Sequence, residues 1–251
     1  MLNIPRWFVL GAAMAASLLS VQIAVAADAA HDDAAVRQKI AERVQAQVPE
    51  IRVNSVRPSP LPGWYEVTMG AKLIYVSADA RYVFFGGDLM DLKEGRDLSD
   101  KPRQAARQAA LAAISDKTIE FAPANGDTKH VIYVFTDVDC PYCKKFHDEV
   151  GQLNKAGIAV RYLAFPRAGV GSQTYNTMVS VWCSADPKAA LTAAKSGREL
   201  AAADCPNPVK EEFNLGRSMG VRGTPTILNA KGQELGGYIP ANQLIRYFNG
   251  S

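Results

Sequence analysis

A continuous apolar run rich in β-branched residues, Val131 to Phe135, is followed five residues on by the first of two cysteines spaced as Cys140-Pro141-Tyr142-Cys143, and helical sequence continues beyond them to Leu153. This junction constrains the chain more than any other feature. An apolar run of that kind is a strand buried on both faces. Pro141 fits the first turn of a helix, where a missing N–H costs nothing. The Cys140 sulfur then stands beside the unpaired N–H groups and the positive end of the helix dipole, which favour thiolate over thiol. The thiolate is the reactive form of cysteine. Lys144 and Lys145 add positive charge, and Asp137 and Asp139 oppose it. Cys143 lies one turn further in and is expected to be the more buried sulfur, placed to attack a disulfide formed on Cys140.

Other uses of the pair fit less well. Cys140, Cys143 and His147 have the spacing of zinc ligands, but a closed structural site needs four, and the other cysteines are distant and not in a CxxC pair. His147 is expected to be a surface residue of its helix. Haem attachment needs histidine directly after the second cysteine, where this chain has Lys144. A purely structural disulfide across so short a ring contributes little by loop entropy.

The remaining cysteines, Cys183 and Cys205, are 22 positions apart in a region of helical character. Closing that loop stabilises a fold by roughly 3 kcal/mol in the chain-entropy model. A second redox pair is the alternative, but neither residue sits at a strand-to-helix turn, so the structural reading is the stronger. Four cysteines are an even set, and the amino terminus places them in an oxidising compartment. Arg6 precedes an uncharged apolar run from Trp7 to Val21, and Ala24-Val25-Ala26 supplies a cleavage site before the acidic Asp28, Asp32 and Asp33. Residues 1–26 are expected to be a cleavable secretory signal. An uncleaved anchor is the competing reading, since the run is near the lower limit of a membrane span. The formal net charge of +3 and the absence of a basic stripe argue against nucleic acid as a partner.

Periodicity predicts the rest of the 251 residues. Val36, Ile40, Val44 and Val48 mark a helix ended by Pro49. Short β-rich segments follow at Ile51–Val56, Trp64–Met69, Leu73–Val76 and Tyr82–Phe85, separated by turn residues. This unit has few residues for a core, and small open sheets often complete themselves with a second copy. Leu98 to Asp116, with alanine at six positions, predicts a helix with so thin an apolar face that it connects domains and takes no part in a core. The carboxy-terminal half alternates elements. A strand at Ala159–Phe165 is followed by helical sequence over about 172–219, broken at Asp186-Pro187 and at Asp204 to Pro208. A hairpin at Thr226–Leu228 and Glu234–Tyr238 and a closing helix at Ala241–Phe248 complete it. Gly223-Thr224-Pro225-Thr226 precedes a strand, and the residues alone favour an ordinary turn with a trans bond.

A CxxC at a strand-to-helix turn is the thioredoxin arrangement. Taken with Phe135 to Cys143, Val181-Trp182-Cys183, Gly220 to Pro225 and Gly237-Tyr238, the chain resembles the DsbC/DsbG family of periplasmic disulfide isomerases over essentially the whole mature sequence. Pro-Tyr between the active cysteines is typical of the DsbG branch, whereas the second cysteine pair and Thr224-Pro225-Thr226 lean to DsbC. The resemblance implies an α+β protein: a cystatin-like dimerisation domain over 27–97, a linker helix over 98–118, and a thioredoxin-fold catalytic domain over 119–251 with a helical insertion at about 167–219. It implies Cys140 and Cys143 as the catalytic pair, Cys183–Cys205 as a structural disulfide, and Thr224 with a cis Pro225 as the loop that pairs with substrate. It also implies no metal and no cofactor beyond the redox disulfide. The implied partners are misfolded exported proteins, a second copy of the chain and a membrane reductant of the DsbD type. A net oxidase is disfavoured by the amino-terminal domain. A holdase chaperone is the alternative class, with Met69, Tyr75, Phe84 and Phe85 as candidate lining, although core packing is their commoner use.

Overall fold

The computed structural model describes residues 33–250, so the secretory-signal expectation falls outside the described residues. The chain forms two compact units, one of the residues up to Val67 with Ile74–Phe85, and one of Thr68–Leu73 with the residues from Gly86 on. The first opens with helix α1 over 33–47. Ile40, from its four-residue apolar repeat, is fully buried. Four strands follow, β1 (Val53–Pro58), β2 (Trp64–Met69), β3 (Lys72–Ser77) and β4 (Val83–Phe85), in the spatial order β1-β2-β3-β4. Alternation places Val67 and Met69 inside. The outer strand β4 keeps Val83, Phe84 and Phe85 exposed, at 52, 56 and 67% of their surface. Of the four residues considered for holding unfolded chains, Met69 and Tyr75 are therefore core and Phe84 and Phe85 are surface.

The second unit begins with a two-stranded hairpin, β5 (Met90–Asp91) and β6 (Arg96–Asp97), too short for a periodic signal. Helix α2 (Asp100–Ala112) and a 3-10 turn (Ser115–Lys117) lead to β7 (Ile119–Phe121). The expectation that this alanine-rich helix takes no part in a core is corrected. Leu111 is 1% exposed and packs with Phe135, Leu163, Phe213 and Leu228. Arg107 donates to the Met219 carbonyl at 2.8 Å and pairs with Glu234. Small side chains permit close approach: a Cβ at Gly232 would stand 2.3 Å from the Gln104 carbonyl.

The main sheet runs β11-β10-β8-β9-β7, built from β8 (His130–Thr136), β9 (Ile158–Ala164), β10 (Thr226–Asn229) and β11 (Glu234–Gly236) with β7 at the edge. β8 and β9 are parallel, and the other pairings are antiparallel. β8 is central, and its alternate residues divide between two cores. Ile132 and Val134 face one cluster and Tyr133 and Phe135 the other. Helices α3 (Pro141–Asp148) and α4 (Val150–Lys155) follow β8. The sequence suggested one helix there. It breaks at Glu149, whose carboxylate accepts from the Tyr238 hydroxyl and the Ala241 backbone N–H at 2.5 and 2.6 Å. The insertion after β9 holds α5 (Gln173–Trp182), α6 (Pro187–Lys195) and α7 (Val209–Met219), and α8 (Ala241–Asn249) closes the unit. Ser172 and Asp186 cap α5 and α6 through backbone N–H groups three residues on. Gly220 ends α7 at φ +85°, a left-handed cap that glycine adopts without strain.

Candidate active site at the start of helix α3

Cys140 is the N-cap of α3 with extended backbone, and Pro141 is the first helical residue. The turn that delivers it is built by Asp137. One carboxylate oxygen accepts from the Asp139 N–H at 2.7 Å, and the other from the Arg167 backbone N–H and guanidinium at 2.9 and 3.1 Å. The acidic residue that seemed to oppose a thiolate is thus buried and neutralised by hydrogen bonds and Arg167. Asp139 accepts from the Thr174 hydroxyl at 2.6 Å, tying the turn to α5.

Cys140 and Cys143 are free thiols, both buried at 2 and 1% exposure, so the expected contrast in surface is nearly absent. The contrast lies in their surroundings. Burial raises both thiols. At Cys140 it is outweighed by the Thr224 side chain, by the backbone N–H and sulfur of Cys143, and by the charge of Arg167, and the thiol is lowered overall. At Cys143 burial prevails over the opposing Lys195 charge, the Asp137 backbone, and the Thr136 and Thr224 side chains, and the thiol is raised. The two sulfurs are therefore shifted in opposite directions, Cys140 toward the thiolate and Cys143 toward the thiol.

Thr224 and Pro225 are brought to this place from the start of β10. The Cys140 thiol donates to the Thr224 carbonyl at 3.1 Å. The Thr224 hydroxyl is buried without a hydrogen-bond partner of its own, which leaves its donor for the sulfurs. The Thr224–Pro225 bond is cis, as the resemblance implies and against the trans bond that the residues alone favour. The exposed Tyr142 ring lies 5.9 Å from Tyr238, and Lys145 stands over the Tyr238 ring at 4.8 Å.

Cys183 and Cys205 lie elsewhere, joined as a disulfide between the end of α5 and the segment before α7. His147 is half-buried, not the free surface residue expected of it. Its two ring nitrogens meet the Tyr162 hydroxyl at 3.0 Å and the Thr192 hydroxyl at 2.9 Å, and Phe121 stands edge-on to its ring. Burial and the nearby Lys195 lower it to about 4, so it is neutral. Both ring nitrogens are thus engaged by hydroxyls. Sequence reasoning missed Arg167, Thr136 and Lys195. A signal existed for the last: Leu191, Ala194 and Lys195 recur at helical spacing, which puts the lysine on the apolar face of α6.

Comparison with known proteins gives the family of the chain. Residues 116–250 match the thioredoxin-like domain family, and residues 26–100 match the disulfide bond isomerase protein N-terminal domain. The thiol:disulfide interchange protein DsbC of Haemophilus influenzae is 36% identical over 88% of this chain and 92% of its own length. DsbC of Escherichia coli K12 is 31% identical over 87% of this chain and 88% of its own. Among solved structures, a disulfide interchange protein from Neisseria gonorrhoeae is 31% identical with a TM-score of 0.46, over 53% of this chain and 95% of that one. The chain belongs to the DsbC family of thiol:disulfide interchange proteins.

Proposed function

We propose that the protein is a disulfide isomerase and reductase of exported proteins, working through the Cys140–Cys143 dithiol. The observation that carries this reading is the unequal setting of two adjacent thiols: Cys140 lowered at a helix start beside Thr224, and Cys143 raised one turn deeper. The Cys140 thiolate attacks one sulfur of a non-native disulfide. A mixed disulfide forms and the other substrate sulfur leaves as a thiolate, which takes up a proton. That freed thiol then attacks another substrate disulfide, and the rearranged chain finally displaces Cys140. Where exchange stalls, Cys143 attacks Cys140, the substrate leaves reduced, and Cys140–Cys143 becomes a disulfide. A membrane reductant of the DsbD type restores the dithiol, and no metal or further cofactor takes part.

The protein acts in the periplasm after removal of residues 1–26. It is a homodimer through residues 27–97, with residues 98–118 as the link to the catalytic segment 119–251. The exposed apolar edge of β4 supports this, because such an edge needs covering. Two catalytic units in one molecule hold a client and raise the effective concentration of its own thiols near the mixed disulfide. Thr224 pairs with the substrate backbone, and Cys183–Cys205 is structural. Refolding a scrambled multi-disulfide protein tests the activity: native disulfides return with the wild type, and their failure to return overturns the reading. Light scattering on wild type and Phe85→Lys tests the assembly, with a dimer expected for the first and a shift toward monomer for the second.

A further inference from the structure

Lys195 closes α6 with its side chain turned into the core, 3% exposed. Its ammonium donates to the Thr136 hydroxyl at 2.7 Å and lies 5.4 Å from the Tyr162 ring centroid. Among the described residues it forms no ion pair with a carboxylate. Asp137 is near but committed to Arg167 and to backbone N–H groups. A buried ammonium requires a partner of opposite charge. Strand parity supplies one. Thr136 lies on the same face of β8 as Ile132 and Val134; its hydroxyl accepts from Lys195, and its side chain lies near enough to Cys143 to favour that sulfur's thiolate. The one new anion that can form at the other end of this hydroxyl is the Cys143 thiolate.

We propose that Lys195 is the proton partner of Cys143, ionising the second thiol through Thr136 and thereby setting how quickly a mixed disulfide on Cys140 is resolved. This rests on the reading of Cys143 as the resolving thiol. In the neutral state the Cys143 S–H donates to Thr136 Oγ1, whose O–H donates to the free Lys195 amine. Both protons move one place. The result is a thiolate accepting from Thr136 and an ammonium donating to it. The thiolate attacks Cys140, the Cys140–Cys143 bond forms, the bond to substrate breaks, and the substrate sulfur leaves as a thiolate that takes a proton from solvent. Lys195 makes no hydrogen bond to either sulfur, so it is a positioning residue acting through Thr136. Burial lowers it to about 8, close enough to neutrality to exchange a proton. The charged and titratable groups facing it are Cys140, Cys143, Lys144 and His147 at α3, Asp137 beyond β8 and Tyr162 on β9.

The consequence is a partition. A fast-ionising Cys143 releases substrate reduced, and a slow one leaves the mixed disulfide time to rearrange. Reduced full-length protein is mixed with one equivalent of 5,5′-dithiobis(2-nitrobenzoate) in a stopped-flow instrument from pH 5 to 9. The first release of thionitrobenzoate reports attack by Cys140, and the second reports resolution by Cys143. In Lys195→Met the midpoint of the second phase is expected to rise by about one pH unit. Its rate at pH 7 falls about threefold, because the smaller thiolate fraction is partly offset by higher intrinsic nucleophilicity. The first phase stays within about twofold of wild type. Thr136→Val, which severs the relay while keeping Lys195, gives the same shift and serves if the methionine variant does not fold. A second phase that superimposes on wild type in a folded variant overturns the proposal, as does equal slowing of both phases. If wild type itself gives no second release, matching Cys143→Ala, the resolving role of Cys143 has failed instead.

Discussion

Cys140 and Cys143 stand at the head of α3 as free thiols, whereas Cys183 and Cys205 are joined across 22 positions in the helical insertion. The two pairs share one chemistry and differ in everything around it. The first closes almost no chain, so its oxidation adds little stability, but its sulfurs sit among a helix start, Arg167, Thr224 and a buried lysine. The second closes a long loop and lies at neither a helix start nor a strand-to-helix turn. Surface exposure does not separate them as intuition suggests: the free pair is the buried one, and Cys205 is exposed. What makes a thiol useful here is the balance of charge and hydrogen bonds around it, and what makes a disulfide stabilising is the chain it closes.

The largest expected break in this comparison comes from single substitutions in the first pair. Cys140→Ala removes the attacking sulfur and should abolish both reduction and isomerisation, with no substrate captured. Cys143→Ala leaves attack intact and should accumulate mixed disulfides, visible as higher-mass species on non-reducing gels. Neither should lower the melting temperature appreciably, since both replace small buried side chains that close no loop. The reverse pattern, with capture by Cys140→Ala, would exchange the two roles.

Removing the second pair should do the opposite. Cys183→Ala with Cys205→Ala is expected to cost roughly 3 kcal/mol of stability, read by denaturant titration, while activity per folded molecule persists. If activity disappears with the fold intact, the insertion disulfide takes part in turnover and the division between the pairs collapses.

Much of this division was legible in the sequence because it rests on local pattern. The run into Cys140, Pro141 at the first helical position, the broken helices of the insertion and the final hairpin are all short-range signals, and the elements stand within a few residues of their expected places. What was not legible is tertiary. The burial of α2 depends on Gly232 and on apolar residues far along the chain, so its own thin stripe misled. His147 looked superficial because its partners, Tyr162 and Thr192, are supplied by β9 and α6. Asp137 looked like a charge opposing the thiolate because its partner Arg167 comes after β9.

The smallest expected effect concerns the seam between the two regions, where His147 on α3 meets Thr192 on α6. His147 is held at about 4, below its ordinary 6.5, because burial and Lys195 disfavour the imidazolium. A group depressed in the fold contributes its full stability above the unfolded value and loses it as pH falls toward the folded one. The window is therefore about pH 6.5 down to 4, where the unfolded chain binds a proton that the native chain does not, with a total change of at most about 3 kcal/mol. Glu212 acts in the other direction. Burial raises it to about 8, so its contribution is full below about 4.5 and declines as pH rises toward 8. The two slopes oppose each other between pH 4.5 and 6.5, and the raw stability profile of the wild type does not isolate either. The difference between wild type and His147→Gln does. Glutamine keeps polar atoms for Tyr162 and Thr192 but does not titrate in this range. At pH 7 the variant should be less stable by about 1 kcal/mol, the usual value of a lost or weakened hydrogen bond. That deficit should shrink and then reverse as pH falls below 6. Denaturant melts at pH 7, 6, 5 and 4.5 measure it, and a constant difference across that range would mean that protonation of His147 does not strain the seam between α3 and the insertion.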